Sequence, residues 1–283
     1  MTSNDISGYT IDPTTGSLTA IAGSPFPAGS GPQGIAVDPL GRFLYVNNFW
    51  SANVSVYAIN ATTGALTPVA GSPFGSGGSF YGIAIDPAGK FLYVSDNGLV
   101  QIVAFTIDTK TGALSPVAGG PFPAGTDPLG ITVHPSGRFL YVADDPGAMA
   151  GNLLIYSIDS NTGALSPVTG SPFAIGPEPM SIAIDAAGKF AYSTLNGGPS
   201  VAALSINPTT GAVSPVAGSP FTAQNPFGVA IDPSGKFLYV TNQSFNNVAA
   251  YAVNGTTGAL TPTANSPFPT ANAPIGIAIT AMK

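Results

Sequence analysis

The chain repeats one short unit along nearly its whole length. The glycine of a recurring Thr-Gly pair marks the unit at Gly16, Gly64, Gly112, Gly163, Gly211 and Gly258. These positions are 48, 48, 51, 48 and 47 residues apart. Each unit holds several short runs of β-branched and aromatic residues, and such a period is typical of a β-propeller rather than of a helical solenoid. The sequence therefore predicts an all-β propeller of four-stranded antiparallel blades, with six repeat units.

One unit divides into four predicted strands. In the repeat marked by Gly64 they cover 34–37, 43–46, 54–59 and the residues around Pro68. An Asp-Pro-x-Gly turn joins the first two of these strands. The fourth strand carries a proline in five units, at Pro68, Pro116, Pro167, Pro215 and Pro262. Because proline lacks the N–H that a central strand must donate, we expect this strand at the edge of each blade.

The two ends of the chain together make up one of these six units, the one marked by Gly16. Residues 1–26 align with the third and fourth strands of a blade, and 276–283 align with a first strand and its turn. We expect them to form a sixth blade, split between the termini, that lacks its second strand, within a single domain over 1–283. A seven-bladed propeller shortened at its N-terminus is a second interpretation of the missing strand.

Composition excludes several classes of partner. Charged residues make up 7% of the chain, the net charge is −6, and the seven Lys and Arg residues are not clustered. Nucleic acid and anionic membranes both need clustered basic residues, and no apolar run is long enough to span a bilayer, so we predict neither partner. The absence of cysteine excludes disulfides and zinc–thiolate sites, and we predict no cofactor and no metal.

The same composition bears on localisation. A surface poor in lysine and rich in Ser, Thr, Asn and Gly favours an extracytoplasmic protein, whether secreted, periplasmic or at the cell surface. Residues 1–12 contain neither the basic nor the apolar region of a signal peptide. Either the chain is not exported or its start lies upstream of this sequence. We expect a monomer.

Two stretches of the repeat carry a family resemblance. Residues 31–48, GPQGIAVDPLGRFLYVNN, and 56–74, VYAINATTGALTPVAGSPF, resemble the lactonase-type (6-phosphogluconolactonase-like) seven-bladed propellers and the YVTN-repeat proteins of bacterial and archaeal surfaces. The YVTN string itself occurs at Tyr239–Asn242. The resemblance implies a propeller over essentially the full length. It implies lactone hydrolysis for some members and binding or surface roles for others, and no catalytic residue is carried over from it.

The loops of a blade differ in how much they vary between units. The Asp-Pro-x-Gly and Thr-Thr-Gly turns are nearly constant, whereas the loops after the second strand vary, and loops on a rigid scaffold commonly carry function. The variable loops hold the candidate ligand-binding residues Asn48, Trp50, Asp96, Asn97, Asp144, Asp145, Asn196, Asn242 and Gln243. Amides, carboxylates and one Trp suit a sugar or another small polar ligand, although Asn and Asp also favour turns for structural reasons.

No catalytic residue is predicted. His134 replaces Asp in a structural turn, and Asp144-Asp145 lacks the spaced acidic residues of a calcium loop. The main hypothesis is therefore a non-enzymatic binding or surface-display module, whose partner on the variable loops is a small polar ligand or a protein. A lactonase-type hydrolase is the alternative, and a structural or adhesive repeat domain of a larger surface protein is the second alternative.

Overall fold

The computed structural model describes residues 4–12, 14–15, 17–147 and 150–279. Its contacts divide the chain into two compact units. The first unit is Met1–Pro123 with Ser160–Ala164, and the second is Ala124–Asp159 with Leu165–Ala281. No helix of the described residues is long and apolar enough to cross a membrane. The prediction of a single domain over 1–283 stays a prediction.

The described residues form five complete blades, numbered here 1 to 5 along the chain. Their first strands are β5 (Pro32–Val37), β9 (Phe80–Ile85), β14 (Pro128–Val133), β19 (Pro179–Ile184) and β24 (Pro226–Ile231). Their second strands are β6 (Phe43–Asn48), β10 (Phe91–Asp96), β15 (Phe139–Asp144), β20 (Phe190–Leu195) and β25 (Phe237–Asn242). Their third strands are β7 (Asn53–Ile59), β11 (Gln101–Ile107), β16 (Asn152–Ile158), β21 (Ser200–Ile206) and β26 (Asn247–Val253).

The fourth strand lies at the edge of every blade, which confirms the prediction from proline. These strands are β8 (Leu66–Pro68), β12 (Leu114–Pro116), β17 (Leu165–Pro167), β22 (Val213–Pro215) and β27 (Leu260–Pro262). Each ends at the recurring proline. All pairings are antiparallel in the order one to four, so the all-β propeller architecture expected from the repeat is confirmed.

A fifth, two-residue strand extends four of the blades, and the sequence patterns did not predict it. It pairs with the start of the third strand in β13 (Phe122–Pro123), β18 (Phe173–Ala174), β23 (Phe221–Thr222) and β28 (Phe268–Pro269). In blade 1 a single bridge, Val54 with Phe74, takes its place. The segment that runs from this Phe to the first strand of the next blade is called the linker. Each linker is assigned to the blade whose first strand follows it.

The first unit holds blades 1 and 2 and the N-terminal segment. That segment forms two small sheets, β1 (Asp5–Ile6) with β4 (Phe26–Pro27) and β2 (Tyr9–Ile11) with β3 (Leu18–Ala20). The first strands β5 and β9 lie beside one another. The buried Tyr45 hydroxyl donates to the carbonyl oxygen of Gly112, in the Thr-Gly turn of the next blade, at 3.2 Å. Adjacent blades are thus joined by a buried hydrogen bond as well as by apolar packing.

The second unit repeats this design in blades 3, 4 and 5. Tyr141 donates to the Gly211 carbonyl at 2.8 Å, and Tyr192 donates to the Gly258 carbonyl at 3.1 Å. Buried Val, Leu and Ile of the second and third strands form its core. A short 3₁₀ helix, Gln243–Phe245, follows β25.

The C-terminal segment differs from the expectation of a first strand beginning at Gly276. No strand forms over 276–279, and the remaining residues of the predicted strand lie outside the described part of the chain. The carbonyl oxygen of Ile275 nevertheless lies 3.4 Å from the Thr241 hydroxyl of β25. The hydroxyl of Thr194, at the same position of blade 4, donates to the Phe227 carbonyl of the next first strand. This segment therefore contacts blade 5 as a neighbouring first strand would.

Candidate functional site

One backbone hydrogen bond recurs at the variable end of every blade. The residue after the second strand donates its N–H to the carbonyl of the residue before the first strand. The pairs are Phe49–Gly31 (2.8 Å), Asn97–Ser79 (2.9 Å), Asp145–Asp127 (3.1 Å), Asn196–Glu178 (2.9 Å) and Gln243–Asn225 (3.2 Å). The loop after the second strand and the linker are thereby held together. Their side chains form what we call the loop face of each unit.

Four of the nine predicted ligand-binding residues are buried rather than presented on the loop face. Asn48, Asp96, Asp144 and Asn242 each end a second strand and are at most 2% exposed. The linker crosses directly over this position, so these side chains hydrogen-bond to the chain around them. Asp96 shows the pattern, since it accepts hydrogen bonds from the backbone N–H groups of Gly78 and Ser79. The sequence patterns did not reveal this burial, and the ligand-binding role of these four residues stays a prediction.

Asp144 fixes the linker of blade 3 in the same way. Its Oδ1 accepts hydrogen bonds from the N–H groups of Thr126 at 2.7 Å and Asp127 at 2.8 Å. Gly125 makes this approach possible, because it has a φ of +64° and a Cβ at this position would overlap the Asp144 carboxylate. A buried carboxylate and a glycine therefore determine where Asp127 lies.

The other five predicted residues reach the surface, wholly or in part. In the first unit, Trp50 is 70% exposed and packs edge-on against Phe49, and Asn97 is half-buried. In the second unit, Asp145, Asn196 and Gln243 are half-buried. Asp145 accepts a hydrogen bond from the N–H of Gly147, and the Asn196 amide donates to the Pro226 carbonyl at 3.2 Å. Their ligand-binding role stays a prediction.

Asp127 is the site residue that the sequence analysis missed. Burial raises the pKa of its carboxyl group above its usual range, and the like charges of Asp145 and Asp144 raise this pKa further. A half-buried carboxyl group with a raised pKa beside a second carboxylate suits proton transfer. The available signal was its position before the first strand, which varies from blade to blade as the loops do: Gly31, Ser79, Asp127, Glu178 and Asn225.

The basic residues lie at the opposite end of the blades. Arg42 pairs with Asp38 at 3.2 Å and covers the Phe43 ring, which makes it part of the turn between first and second strands. Arg138 donates to the carbonyls of Pro208 and Thr209 in the next Thr-Thr-Gly turn. Lys90, Lys189 and Lys236 occupy the same turn position as these arginines, and Lys110 lies in a Thr-Gly turn. Among the described residues, therefore, no Lys or Arg belongs to the loop face.

His134 lies in a turn between first and second strands, as expected. Its Nε2 is 2.9 Å from the carbonyl oxygen of Gly188 and its Nδ1 is 2.8 Å from the Ser136 hydroxyl. Across the described ranges, no group of three or more His, Cys, Asp or Glu side chains is arranged to hold a metal ion. The chemically active groups of the loop face are thus carboxylates and amides.

Comparison with solved structures shows which folds this chain shares. A Lactobacillus plantarum protein is 20% identical over 98% of this chain and 82% of its own, with a TM-score of 0.78. A Bacteroides fragilis protein classed as a 6-phosphogluconolactonase is 20% identical over 95% of this chain and 78% of its own, with a TM-score of 0.76. The periplasmic gluconolactonase of Pseudomonas aeruginosa is 18% identical over the same shares, 95% and 78%, with a TM-score of 0.74. At these identities the likeness is one of fold.

No curated protein sequence matches this chain. The family model described as "Lactonase, 7-bladed beta-propeller" matches residues 2–184 and 83–275, which together cover nearly the whole chain. The five described blades have the antiparallel order of that fold. The chain therefore belongs to the lactonase family of seven-bladed β-propellers.

Proposed function

We propose that this chain hydrolyses a sugar lactone that carries no phosphate group, and that it does so outside the cytoplasm. The observation that carries the proposal is the pairing of Asp127 with Asp145 on the loop face of the second unit, where burial and like charge raise the pKa of Asp127. Membership of the lactonase family supports the reaction class. The periplasmic gluconolactonase among the structural neighbours, together with the lysine-poor composition, supports the location.

The proposed chemistry is general-base attack of water on the lactone. The Asp127 carboxylate takes a proton from water as the water oxygen forms a bond to the lactone carbonyl carbon. The bond from that carbon to the ring oxygen then breaks, and the ring oxygen receives the proton from Asp127 to become the hydroxyl of the sugar acid. A carboxylate with a raised pKa is a stronger base than an ordinary aspartate.

The rest of the loop face of the second unit suits a neutral sugar. Asn196 and Gln243 carry amide groups that pair with hydroxyls, and both are half-buried. A phosphorylated lactone would need cationic partners for its phosphate, and the described Lys and Arg residues lie in turns at the other end of the blades. This distribution of charge favours the lactone without phosphate.

The test compares δ-gluconolactone with 6-phosphogluconolactone as substrates, after correction for spontaneous ring opening. We expect turnover of the first to exceed that of the second, and Asp127→Asn to lower it by about 10²–10⁴-fold, the usual contribution of a general base. Asp108→Asn is the matched control. Asp108 lies in a Thr-Gly turn whose equivalents already carry asparagine at Asn60, Asn207 and Asn254. Full activity of the Asp127→Asn variant would refute the assignment of the base.

A second function, binding without hydrolysis, is favoured by one separate observation. Trp50 of the first unit is 70% exposed, and an exposed aromatic ring commonly stacks on an apolar sugar face. If the chain is a binding module, calorimetry will show that gluconate or a related sugar binds without turnover, and Trp50→Ala will weaken that binding. The absence of both turnover and sugar binding would favour the third role, a structural or adhesive repeat domain.

A further inference from the structure

The N-terminal segment of the first unit presents an open strand edge. Within the described part of the chain β2 pairs with β3 alone, whereas β7, the equivalent strand of blade 1, lies between β6 and β8. The Asp12 N–H donates to the Ser17 carbonyl on the β3 side. Because the backbone groups of an antiparallel strand alternate between its two sides, those of Tyr9 and Ile11 point to the open edge.

In blade 1 the second strand covers the equivalent edge. The residue that corresponds to Ile11 is Ile59, whose N–H donates at 2.8 Å to the carbonyl of Arg42, immediately before β6. The residue that corresponds to Tyr9 is Tyr57, which packs against side chains of β6. Tyr57 is 3% exposed and Tyr9 is 52% exposed. The open edge therefore has the backbone and side-chain groups that a second strand would cover.

The Thr-Gly turn of blade 1 lies beside this edge and shows which side chains are missing from it. In four other turns a Cβ on the glycine would lie 2.4–2.6 Å from a Phe ring of the preceding second strand, and a Tyr of that strand donates to the glycine carbonyl. These glycines are buried: Gly112, Gly163, Gly211 and Gly258. Gly64 is only half-buried, and the atom nearest to such a Cβ belongs to Ile21, at 3.4 Å.

The first strand of blade 1 adds an exposed apolar wall to the same place. Ile35 is 58% exposed and Val37 is 50% exposed. In blade 4 the residue that corresponds to Ile35 is Ile182, which is 8% exposed and belongs to one buried cluster with Tyr141 of the preceding second strand. An apolar wall next to an unpaired strand edge is suited to strand pairing with another chain.

We infer that this edge binds an extended segment of another polypeptide in which a Phe and a Tyr alternate with aliphatic residues, as in Phe-Leu-Tyr-Val. The segment pairs with β2 as an antiparallel strand, a mode of binding in which the backbone gives affinity and the side chains give specificity. Its Phe lies on Gly64, its Tyr donates to the Gly64 carbonyl, and its aliphatic residues pack against Tyr9. The repeat itself determines this occupant, because every complete blade places a Phe-x-Tyr strand at this edge.

The probe is the peptide of residues 42–48, Arg-Phe-Leu-Tyr-Val-Asn-Asn, capped at both ends and labelled with a fluorophore. Fluorescence anisotropy measures its Kd with the whole chain. A Leu44→Pro peptide lacks the N–H that pairs with Tyr9, and a Tyr45→Phe peptide lacks the hydroxyl. We expect each to bind about 3–10-fold more weakly, the usual effect of losing one neutral hydrogen bond. No binding of the unaltered peptide, or equal binding of the Leu44→Pro peptide, would overturn the inference.

Two variants of the protein test whether the peptide pairs with β2. Ile11→Pro and Ile11→Ala both remove the side chain, but only the first removes the N–H that points to the open edge. No hydrogen bond to β3 is lost in either, so both should melt as the unaltered protein does. We expect Ile11→Pro to bind the peptide about 3–10-fold more weakly than Ile11→Ala. Equal binding by the two variants would place the peptide elsewhere and contradict the inference.

A second pair of variants tests the apolar wall. Ile35→Asn should weaken binding of the peptide, whereas Leu40→Asn should leave it unchanged, because Leu40 is 72% exposed in the turn that follows the first strand. Equal effects of the two changes would contradict the inference. Light scattering of the unaltered protein tests the other occupant of the edge, a second copy of this chain. A dimer that the peptide does not dissociate would show that a second copy pairs there and would also contradict it.

Discussion

Replacing Gly125 by alanine tests how the scaffold positions Asp127. Gly125 has a φ of +64°, and its added Cβ would overlap the buried Asp144 carboxylate. Gly235, in the turn between the first and second strands of blade 5, has a similar φ of +70°, but no atom lies within 4 Å of an added Cβ. Gly235→Ala therefore measures the backbone cost alone, about 1–2 kcal/mol for an L-residue in the left-handed region.

The difference in the free energy of unfolding between the two variants measures the contribution of the Asp144 hydrogen bonds. Displacing that carboxylate breaks its hydrogen bonds to the Thr126 and Asp127 N–H groups, and a bond to a charged group contributes about 1.5–3 kcal/mol. Gly125→Ala should thus lower the free energy of unfolding by about 1.5–6 kcal/mol more than Gly235→Ala, depending on whether one bond or both are lost. Thermal unfolding followed by circular dichroism measures this difference directly.

The expected shift is large enough to measure. At about 2–4 °C per kcal/mol for a chain of this size, Gly125→Ala should melt at least about 3 °C below Gly235→Ala. Where Gly125→Ala still folds, its lactone turnover should fall at least about tenfold, because the linker that carries Asp127 has moved, while Gly235→Ala keeps its activity. Equal melting temperatures for the two variants would show that Asp144 does not hold the linker.

Two further predictions concern the buried tyrosines. Tyr141→Phe should destabilise the protein by about 1–3 kcal/mol, because it leaves the Gly211 carbonyl without its buried donor, whereas Tyr9→Phe, at an exposed tyrosine, should change stability by less than about 0.5 kcal/mol in urea unfolding. Burial raises the pKa of Tyr156 to about 12, with the charge of Asp144 adding to the rise. A raised pKa in the folded state stabilises the protein below pH 10, and this contribution is lost as the pH rises from 10 to 12. The difference in absorbance at about 295 nm between the protein and its Tyr156→Phe variant should therefore show Tyr156 ionising together with unfolding, and a difference that appears near pH 10 with the fold intact would contradict its burial.

The repeat alone predicts most of the fold. The aromatic and β-branched run that begins at Phe43 forms β6, and Pro68 ends the edge strand β8, because strand propensity and a missing N–H are local properties. The two-residue strand at Phe122–Pro123 was not predictable in this way. It depends on pairing with the start of β11, about 20 residues earlier in the chain, and proline argues locally against a strand.

The candidate site was harder to predict for a physical reason. Second strands are buried on both faces, so alternation along the strand does not show whether Asp96 or Asp144 faces solvent, a ligand or the linker. That choice depends on where a linker 17–18 residues earlier in the chain crosses the strand end. Asp127 precedes a proline and has the composition of a turn, so its burial and its two acidic neighbours became visible only in three dimensions.

The pH dependence of δ-gluconolactone hydrolysis tests the central claim most directly. If Asp127 is the general base, turnover rises with pH through the raised pKa of its carboxyl group, because only the carboxylate accepts a proton. Asp145→Asn removes one of the two like charges that raise this pKa, so the rising limb should move to lower pH in that variant. A limb that stays at the same pH in the Asp145→Asn variant, or turnover that does not depend on pH in this range, would contradict the account.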